Sequence, residues 1–228
     1  MSPEAPHVLA ISGSERAGGN TEQALTYVAG MLQRRDFQFS AIHLREQNIS
    51  PCGRCGDCNF REQPCEADDD MPSIIRRMVD ADAIIYAAPV HGFGLAHLMQ
   101  TFIERAGVGY LRFQRPLANK VGGALVVSRR YSDTQVHQQL VLNMLLNRMI
   151  VVGSGFPALL RAGRGGVADD TEGMDALDRM VQRLADMVLL LRSSERSSGQ
   201  LPLPCDDTNE RQPRAGLPAV GRAWAVAP

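Results

Sequence analysis

Cys52, Cys55 and Cys58 follow one another at steps of three residues, Cys65 closes the run, and Asp68, Asp69 and Asp70 come directly after it. Four of the five cysteines in the chain thus share one loop, spaced so that successive sulfurs curl round a common centre. Thiolates gathered in this way hold metal or carry redox chemistry. A single zinc ion is usually gripped by two separated Cys-x2-Cys knuckles, or by a knuckle with histidines, and only His43 stands nearby. Three stepped thiolates with a fourth suit the corners of a cubane, as in bacterial ferredoxin runs. Gly53 and Gly56 relieve backbone crowding where the loop must curl. A [4Fe-4S] cluster on Cys52, Cys55, Cys58 and Cys65 is the leading expectation, with a structural zinc and a metal-free redox loop as alternatives. A disulfide framework is the weakest reading, because such frameworks belong to small secreted domains, and this chain is large with no signal peptide. Asp68 to Asp70 precede Met71-Pro72, an acidic helix start rather than a set of metal ligands.

The elements that must position this loop alternate between strand and helix. Residues 7–12 form a short apolar run that reads as a central strand. Residues 13–23 are rich in glycine, hydroxyl and amide groups, and Ala24, Leu25, Val28, Met31 and Leu32 then recur at helical spacing. Residues 37–44 form a second strand near an edge, and the cysteine loop, residues 51–70, follows it. Residues 83–88 are a third strand, Pro89 to Gly94 a loop, 96–106 a helix, 121–128 a fourth strand, 135–147 a helix, 149–153 a fifth strand and 174–191 a last helix. The fold expected is α/β, a flavodoxin-like doubly wound sheet of five parallel strands in the order 2-1-3-4-5, occupying residues 1–193. From 194 to 228 the composition turns to Ser, Pro, Gly, Arg and acid, the mark of a disordered tail, in which Cys205 and Trp224 stand isolated.

In such a sheet ligands bind beyond the carboxyl ends of the strands, where strand order reverses, between strands one and three. The loop after the first strand leads into a helix amino terminus, which offers free N–H groups and the positive end of a dipole to an anion. Ser12, Ser14, Gly19, Asn20 and Thr21, with Arg16, are the candidates for holding a phosphate. The loop of Pro89, Val90, His91, Gly92, Phe93 and Gly94 would face it, and Ser128 begins a third wall. A phosphate at one loop and a flat ring at the other describe flavin mononucleotide, FMN. The first loop matches neither Gly-x-Gly-x-x-Gly nor the Walker pattern, which disfavours an intact dinucleotide fingerprint and a nucleoside triphosphatase.

The net charge of −1 and the lack of a basic patch argue against nucleic acid and anionic membranes as partners. No apolar run approaches the ~20 residues of a membrane span. A cytoplasmic protein is expected, in a compartment reducing enough to keep thiolates free.

Ile11-Ser-Gly-Ser14-x-Arg16-x-Gly-Gly-Asn20-Thr21-Glu, the Cys52 to Cys65 loop running into Asp69-Asp70-Met71, Ala87-Ala-Pro89-Val90 and Phe102-Ile-x-Arg105 together resemble the NADPH-dependent FMN reductases. Within them, the compact cysteine loop is similar to that of the iron-sulfur flavoproteins. The resemblance covers residue 7 to about residue 190. It implies Ser14, Arg16, Asn20 and Thr21 around the FMN phosphate, and the 89–94 loop beside the isoalloxazine. It also implies a homodimer or homotetramer with each cluster close to a flavin. His91 replaces the aromatic usually found after Pro-Val, and Ser128-Arg129-Arg130-Tyr131 replaces a glycine-rich loop.

The function expected is an FMN-dependent oxidoreductase that takes electrons from NAD(P)H and passes them to a small oxidised substrate such as a quinone or flavin, with the cluster as a route for single electrons. His91 is the candidate proton donor, and Arg129 and Arg130 are candidates to meet a nucleotide 2′-phosphate. The alternatives are an electron carrier reduced by a ferredoxin and a redox or metal sensor built on the cysteine loop.

Overall fold

The computed structural model describes residues 5–53, 65–106, 115–153, 155–163, 165–199 and 203. Strands β1 (His7–Ser12), β2 (Gln38–His43), β3 (Ala83–His91), β4 (Gly94–Leu95), β5 (Val121–Ser128), β6 (Ile150–Val151) and β7 (Ala158–Arg161) alternate with helices α1 (Asn20–Gln33), α2 (Met71–Asp80), α3 (His97–Ala106), α4 (Asp133–Leu146) and α5 (Thr171–Ser198). The main path of the sheet runs β2-β1-β3-β5-β6; β4 pairs with β3, and β7 pairs with β5. All pairings are parallel except β3 with β4.

The central strands read as near-continuous apolar runs because both faces of the sheet are covered. Their alternate side chains feed two cores. Val8, Ala10, Ile85 and Ala87 pack against α1 and α5. Leu9, Ile11, Ile84 and Tyr86 pack against α2, α3 and α4. In the second core the Tyr86 and Phe102 rings meet edge to face, with centroids 5.6 Å apart. The Tyr86 hydroxyl donates to Asn143 Oδ1 at 3.3 Å, so its polar tip is satisfied inside the core.

The α/β class and the parallel arrangement agree with expectation, but the strand count is corrected from five to seven. The expected fifth strand, 149–153, is reduced to Ile150–Val151, because Gly153, Gly155 and Pro157 interrupt it; Ala158–Arg161 resumes the same edge, paired to Leu125–Ser128. The third strand is longer than its apolar run and continues through Pro89 and Val90 to His91. Only Gly92 (φ +53) and Phe93 (φ +65) then turn the chain back into β4, both with positive φ as in type I′ hairpins.

Helix α5 begins at Thr171 and ends at Ser198, beyond the expected 174–191 and past the start of the expected tail at 194. Asp170 caps it by accepting from the Gly173 N–H at 3.0 Å, and left-handed Gly199 (φ +68) ends it. Cys205 and Trp224 lie outside the described residues. No helix among the described residues is long and apolar enough to cross a membrane.

One close approach joins the first loop to the sheet. The Gly13 N–H donates to Ala87 O at 2.8 Å, and a Cβ at Gly13 would come 2.6 Å from Met99 Cβ on α3. The atom it would strike is anchored to helix backbone, so little can give. Gly13→Ala should lower stability by about 1–3 kcal/mol, read as a drop in urea midpoint with an unchanged denaturant slope.

Candidate active site

Because β1, β3 and β5 run parallel and side by side, the loops that follow them emerge along one edge of the sheet. Direct contact confirms that the first two loops meet: Glu15 Oε1 lies 3.4 Å from His91 Nδ1 and 2.8 Å from His97 Nδ1. The carboxylate of the first loop thus bridges two imidazoles, one on the last residue of β3 and one at the start of α3.

Behind this rim lies a polar cradle. Ser12 is fully buried and its Oγ has no hydrogen-bond partner. A buried hydroxyl without a partner is costly, so this one awaits an acceptor or donor from a ligand. Ser14 is 5% exposed, and its Oγ accepts from the Arg16 N–H at 3.2 Å, folding the loop back on itself. Gly19 caps α1 without a side-chain bond, and Thr21 is buried in the first turn. Arg16 is exposed and has no ion pair among the described residues. Glu22, held below the usual carboxylate range, shapes the loop from one side. Burial raises its pKa, but the Gly18 N–H at 2.6 Å and the Arg45 guanidinium outweigh it. Asn20 lies on the side of the cradle facing the turn at Gly166. An uncapped helix amino terminus, an orphaned serine hydroxyl and a free guanidinium fit the phosphate end of FMN.

Pro89 and Val90 are half-buried on the end of β3, Gly94 lies beyond the turn, and Gly92 and Phe93 are exposed. Ser128 is buried, and its hydroxyl already donates to Asp133 Oδ2 at 3.3 Å. Asp133, which also accepts from Arg161 Nε at 3.2 Å, sits below the usual carboxylate range although burial pulls it up. Arg129 and Arg130 are exposed on the loop that follows.

The cysteine loop is closed at its base by a buried ion pair. Arg105 Nη1 donates to Asp69 Oδ2 at 2.6 Å and to Ser50 O at 2.6 Å, with the two charged side chains 4% and 0% exposed. Asp69 also accepts from the Ser50 and Met71 N–H groups, both at 3.1 Å. Beside it, Asn48 and Asp70 pair through Asn48 N–H to Asp70 Oδ2 at 2.7 Å and Asp70 N–H to Asn48 O at 2.9 Å. The acids are therefore loop closers as much as helix caps: Asp70 occupies the cap position, but its carboxylate makes no cap bond. Cys52 and Cys65, at the two ends of the closed segment, are free and exposed, and Cys55 and Cys58 lie outside the described residues. Among the described residues no group of three or more ligating side chains is gathered for a metal ion. The Arg105 pKa is lowered by burial but raised further by the Asp69 bond and by the charges of Cys65 and Cys52. Arg105 thus lies within electrostatic reach of both ends of the closed segment.

Sequence reasoning missed Glu15, His97 and Arg161, and it placed Tyr131 only within the Ser128 to Asp133 loop as part of a third wall. The signal for the two histidines was the Gly-Phe-Gly stretch at 92–94, a hairpin turn that folds His97 back towards His91. Glu15 had no signal beyond its place in the loop.

Strand order reverses between β1 and β3, and a helix amino terminus and an orphaned serine hydroxyl lie at that edge, the arrangement of a flavodoxin-like nucleotide-binding protein. Comparison with known proteins makes the assignment specific. The family model of the NADPH-dependent FMN reductases matches residues 6–162, and the chain belongs to that family as an NAD(P)H-dependent flavin oxidoreductase. It is 31% identical to an iron-sulfur flavoprotein of Methanocaldococcus jannaschii over 193 residues, covering 81% of this chain and 98% of the relative. Against an iron-sulfur flavoprotein of Methanosarcina thermophila it is 31% identical over 194 residues, covering 82% and 97%. Among solved structures it shares its fold with RosB bound to 8-demethyl-8-formylriboflavin-5'-phosphate, at a TM-score of 0.67 and 15% identity over 94% of this chain and 96% of that one. It also shares it with the NAD(P)H:(acceptor) oxidoreductase FerB of Paracoccus denitrificans, at 0.61 and 13% over 82% and 98%.

The Asp69 carboxylate is held below its ordinary pKa, since its hydrogen bonds to Arg105, Ser50 and Met71 outweigh the upward pull of burial. Its stabilisation is therefore complete above the ordinary carboxylate range and is lost as pH falls through the lowered folded value. Asp69→Asn should cost about 3–5 kcal/mol at neutral pH by stranding a buried guanidinium. Denaturant melts between pH 7 and pH 3 should show the gap between wild type and variant narrowing at the acid end.

Proposed function

We propose that this chain holds FMN in the crevice between β1 and β3 and passes electrons from NAD(P)H to a small oxidised acceptor, and that Cys52, Cys55, Cys58 and Cys65 hold a [4Fe-4S] cluster. The observation that carries the reading is the meeting of the 13–19 loop with His91 at the carboxyl edge, over the orphaned Ser12 hydroxyl. When bound, FMN would supply hydride acceptance and release of electrons singly or in pairs, and the cluster would supply single-electron steps. With a quinone as acceptor, NAD(P)H, one proton and the quinone give NAD(P)+ and the hydroquinone.

The protein's own groups have separate tasks. Ser12, Ser14, Asn20, Thr21 and the N–H groups at Gly19 and beyond bind the phosphate, with Arg16 supplying charge. Pro89, Val90 and the turn through Gly94 border the ring, and Ser128 bounds the third side. Arg129 and Arg130 meet the 2′-phosphate of NADPH. His91 holds the proton that the reduced acceptor needs, and Glu15 orients its ring through Nδ1, leaving Nε2 for the reacting side. Assembly as a homodimer or homotetramer belongs to the same proposal and is supported by Leu142 and Leu145, exposed at 65% and 53% on α4. The exposed position of Cys52 and Cys65 favours a second reading, an electron carrier reduced by a ferredoxin.

Purified anaerobically, the protein should be yellow-brown, and stoichiometric NADPH should bleach the visible flavin band within seconds. Bleaching only by a reduced ferredoxin would favour the carrier. Cys55→Ser should remove iron and sulfide but leave the flavin in place. His91→Gln should slow quinone turnover by about 100-fold while NADPH still reduces the flavin in a single turnover.

A further inference from the structure

Two aromatic rings stand exposed beside the site, one of them in the turn that borders the proposed flavin. Phe93, in the turn after β3, is 72% exposed, and Tyr131, in the loop after β5, is 58% exposed. They reach across from separate loops and meet with centroids 5.8 Å apart and planes tilted by 31°. Holding them there is costly. A bulky residue with positive φ is a backbone outlier, and strain of that kind persists where it serves a site. Phe93 is such a residue at φ +65, and the Tyr131 loop turns into α4 through Ser132, also left-handed at φ +60. Two large rings left in water forgo the stabilisation that burial would give them.

Charge surrounds this aromatic shelf on one side. Arg129 and Arg130 directly precede Tyr131, both exposed, and neither has an ion pair among the described residues. The carboxylates closest along the chain and across the rim are already engaged: Asp133 by Ser128, Thr134 and Arg161, and Glu15 by the two histidines. The guanidinia are therefore left for an external anion, and their planar fork matches a carboxylate or sulfonate.

We propose that Phe93 and Tyr131, with Arg129 and Arg130, form the seat of the electron acceptor, and that this acceptor is a planar aromatic molecule carrying a negative charge. The inference rests on the flavin-oxidoreductase reading above and deepens it. One ring of the acceptor extends the tilted stack, while its anionic substituent lies against the guanidinia. Arg129 and Arg130 serve the donor and the acceptor in turn, which requires NADP+ to leave before the acceptor enters.

The test uses the full-length, FMN-loaded protein reduced with dithionite, so that reoxidation is followed without any nicotinamide donor. Apparent dissociation constants come from the saturation of reoxidation rate with 1,2-naphthoquinone and with its 4-sulfonate. Wild type should bind the sulfonate about 10-fold more tightly, Tyr131→Ala should weaken both by about 10-fold, and Tyr131→Phe should restore both. Arg129→Gln combined with Arg130→Gln should abolish the preference for the sulfonate. FMN affinity, read from quenching of flavin fluorescence, and oligomeric state, read by light scattering, are measured on the same variants. The proposal is overturned if Tyr131→Ala leaves both quinones unchanged. It is also overturned if that variant loses FMN affinity instead, making the shelf the bed of the flavin, or if it only dissociates an oligomer, making the shelf a face for a second copy. Failure of NADPH to bleach the flavin would sink the donor half of the functional reading while leaving this acceptor test intact.

Discussion

The site depends on the parallel pairing of β1 between β2 and β3. Ser12 is in register with Ala87, and the next residue, Gly13, still donates to Ala87 O. The first loop therefore leaves the sheet at the level of Ala87, while β3 rises past it to His91 and reaches the rim from above. Helices α1 and α3 start from this edge, where strand order reverses, so the amino end of α1 faces it while α3 presses Met99 against the loop. A side chain at Gly13 would wedge the two apart. The polar loop and the rim of Glu15, His91 and His97 rest on this close approach.

A different interaction governs the cysteine loop. Burying Arg105 and Asp69 is expensive, and Coulomb attraction alone rarely recovers the cost. Here nearly every polar atom of the pair is used, against Ser50 O, Ser50 N–H and Met71 N–H, so the pair fastens three segments: the chain after β2, the start of α2 and the end of α3. That fastening fixes where the loop leaves and rejoins the body, whatever its interior holds. Because α3 also follows the hairpin that carries His91, the base of the cysteine loop and the histidine rim are mounted on opposite ends of one ten-residue helix, through Arg105 and His97.

Much of this was legible in the sequence, for identifiable reasons. β1, β3 and β5 are buried on both faces and so appear as unbroken apolar runs, and β5 was located to the residue. The polar loop before α1 was legible because glycine, serine and asparagine ahead of a helical pattern mark a turn into a helix start. What escaped was decided by tertiary context. Ala158–Arg161 is too short and too ordinary to announce a strand, and only its neighbour β5 makes it one. Val90 and His91 looked like loop because Pro89 precedes them, yet proline is tolerated where β3 passes from its parallel partner to a hairpin. The role of Asp69 could not be read locally, since its partner Arg105 is 36 residues away. The extra turns of α5 were hidden by a serine- and arginine-rich composition that suggested an unstructured tail.

Those extra turns carry the chain back along the sheet. α5 starts next to the carboxyl end of β7, where Asp170 accepts from the Arg161 N–H, and runs back against the strands until Arg192 pairs with Asp82 at the entrance of β3. At Leu203 the backbone is still on that side, accepting from Asn119 just ahead of β5. Leu203 thus lies at the pole of the sheet opposite the rim of Glu15, His91 and His97. A fluorophore attached at Asn119 would sit a full strand length, that of β5, from this rim.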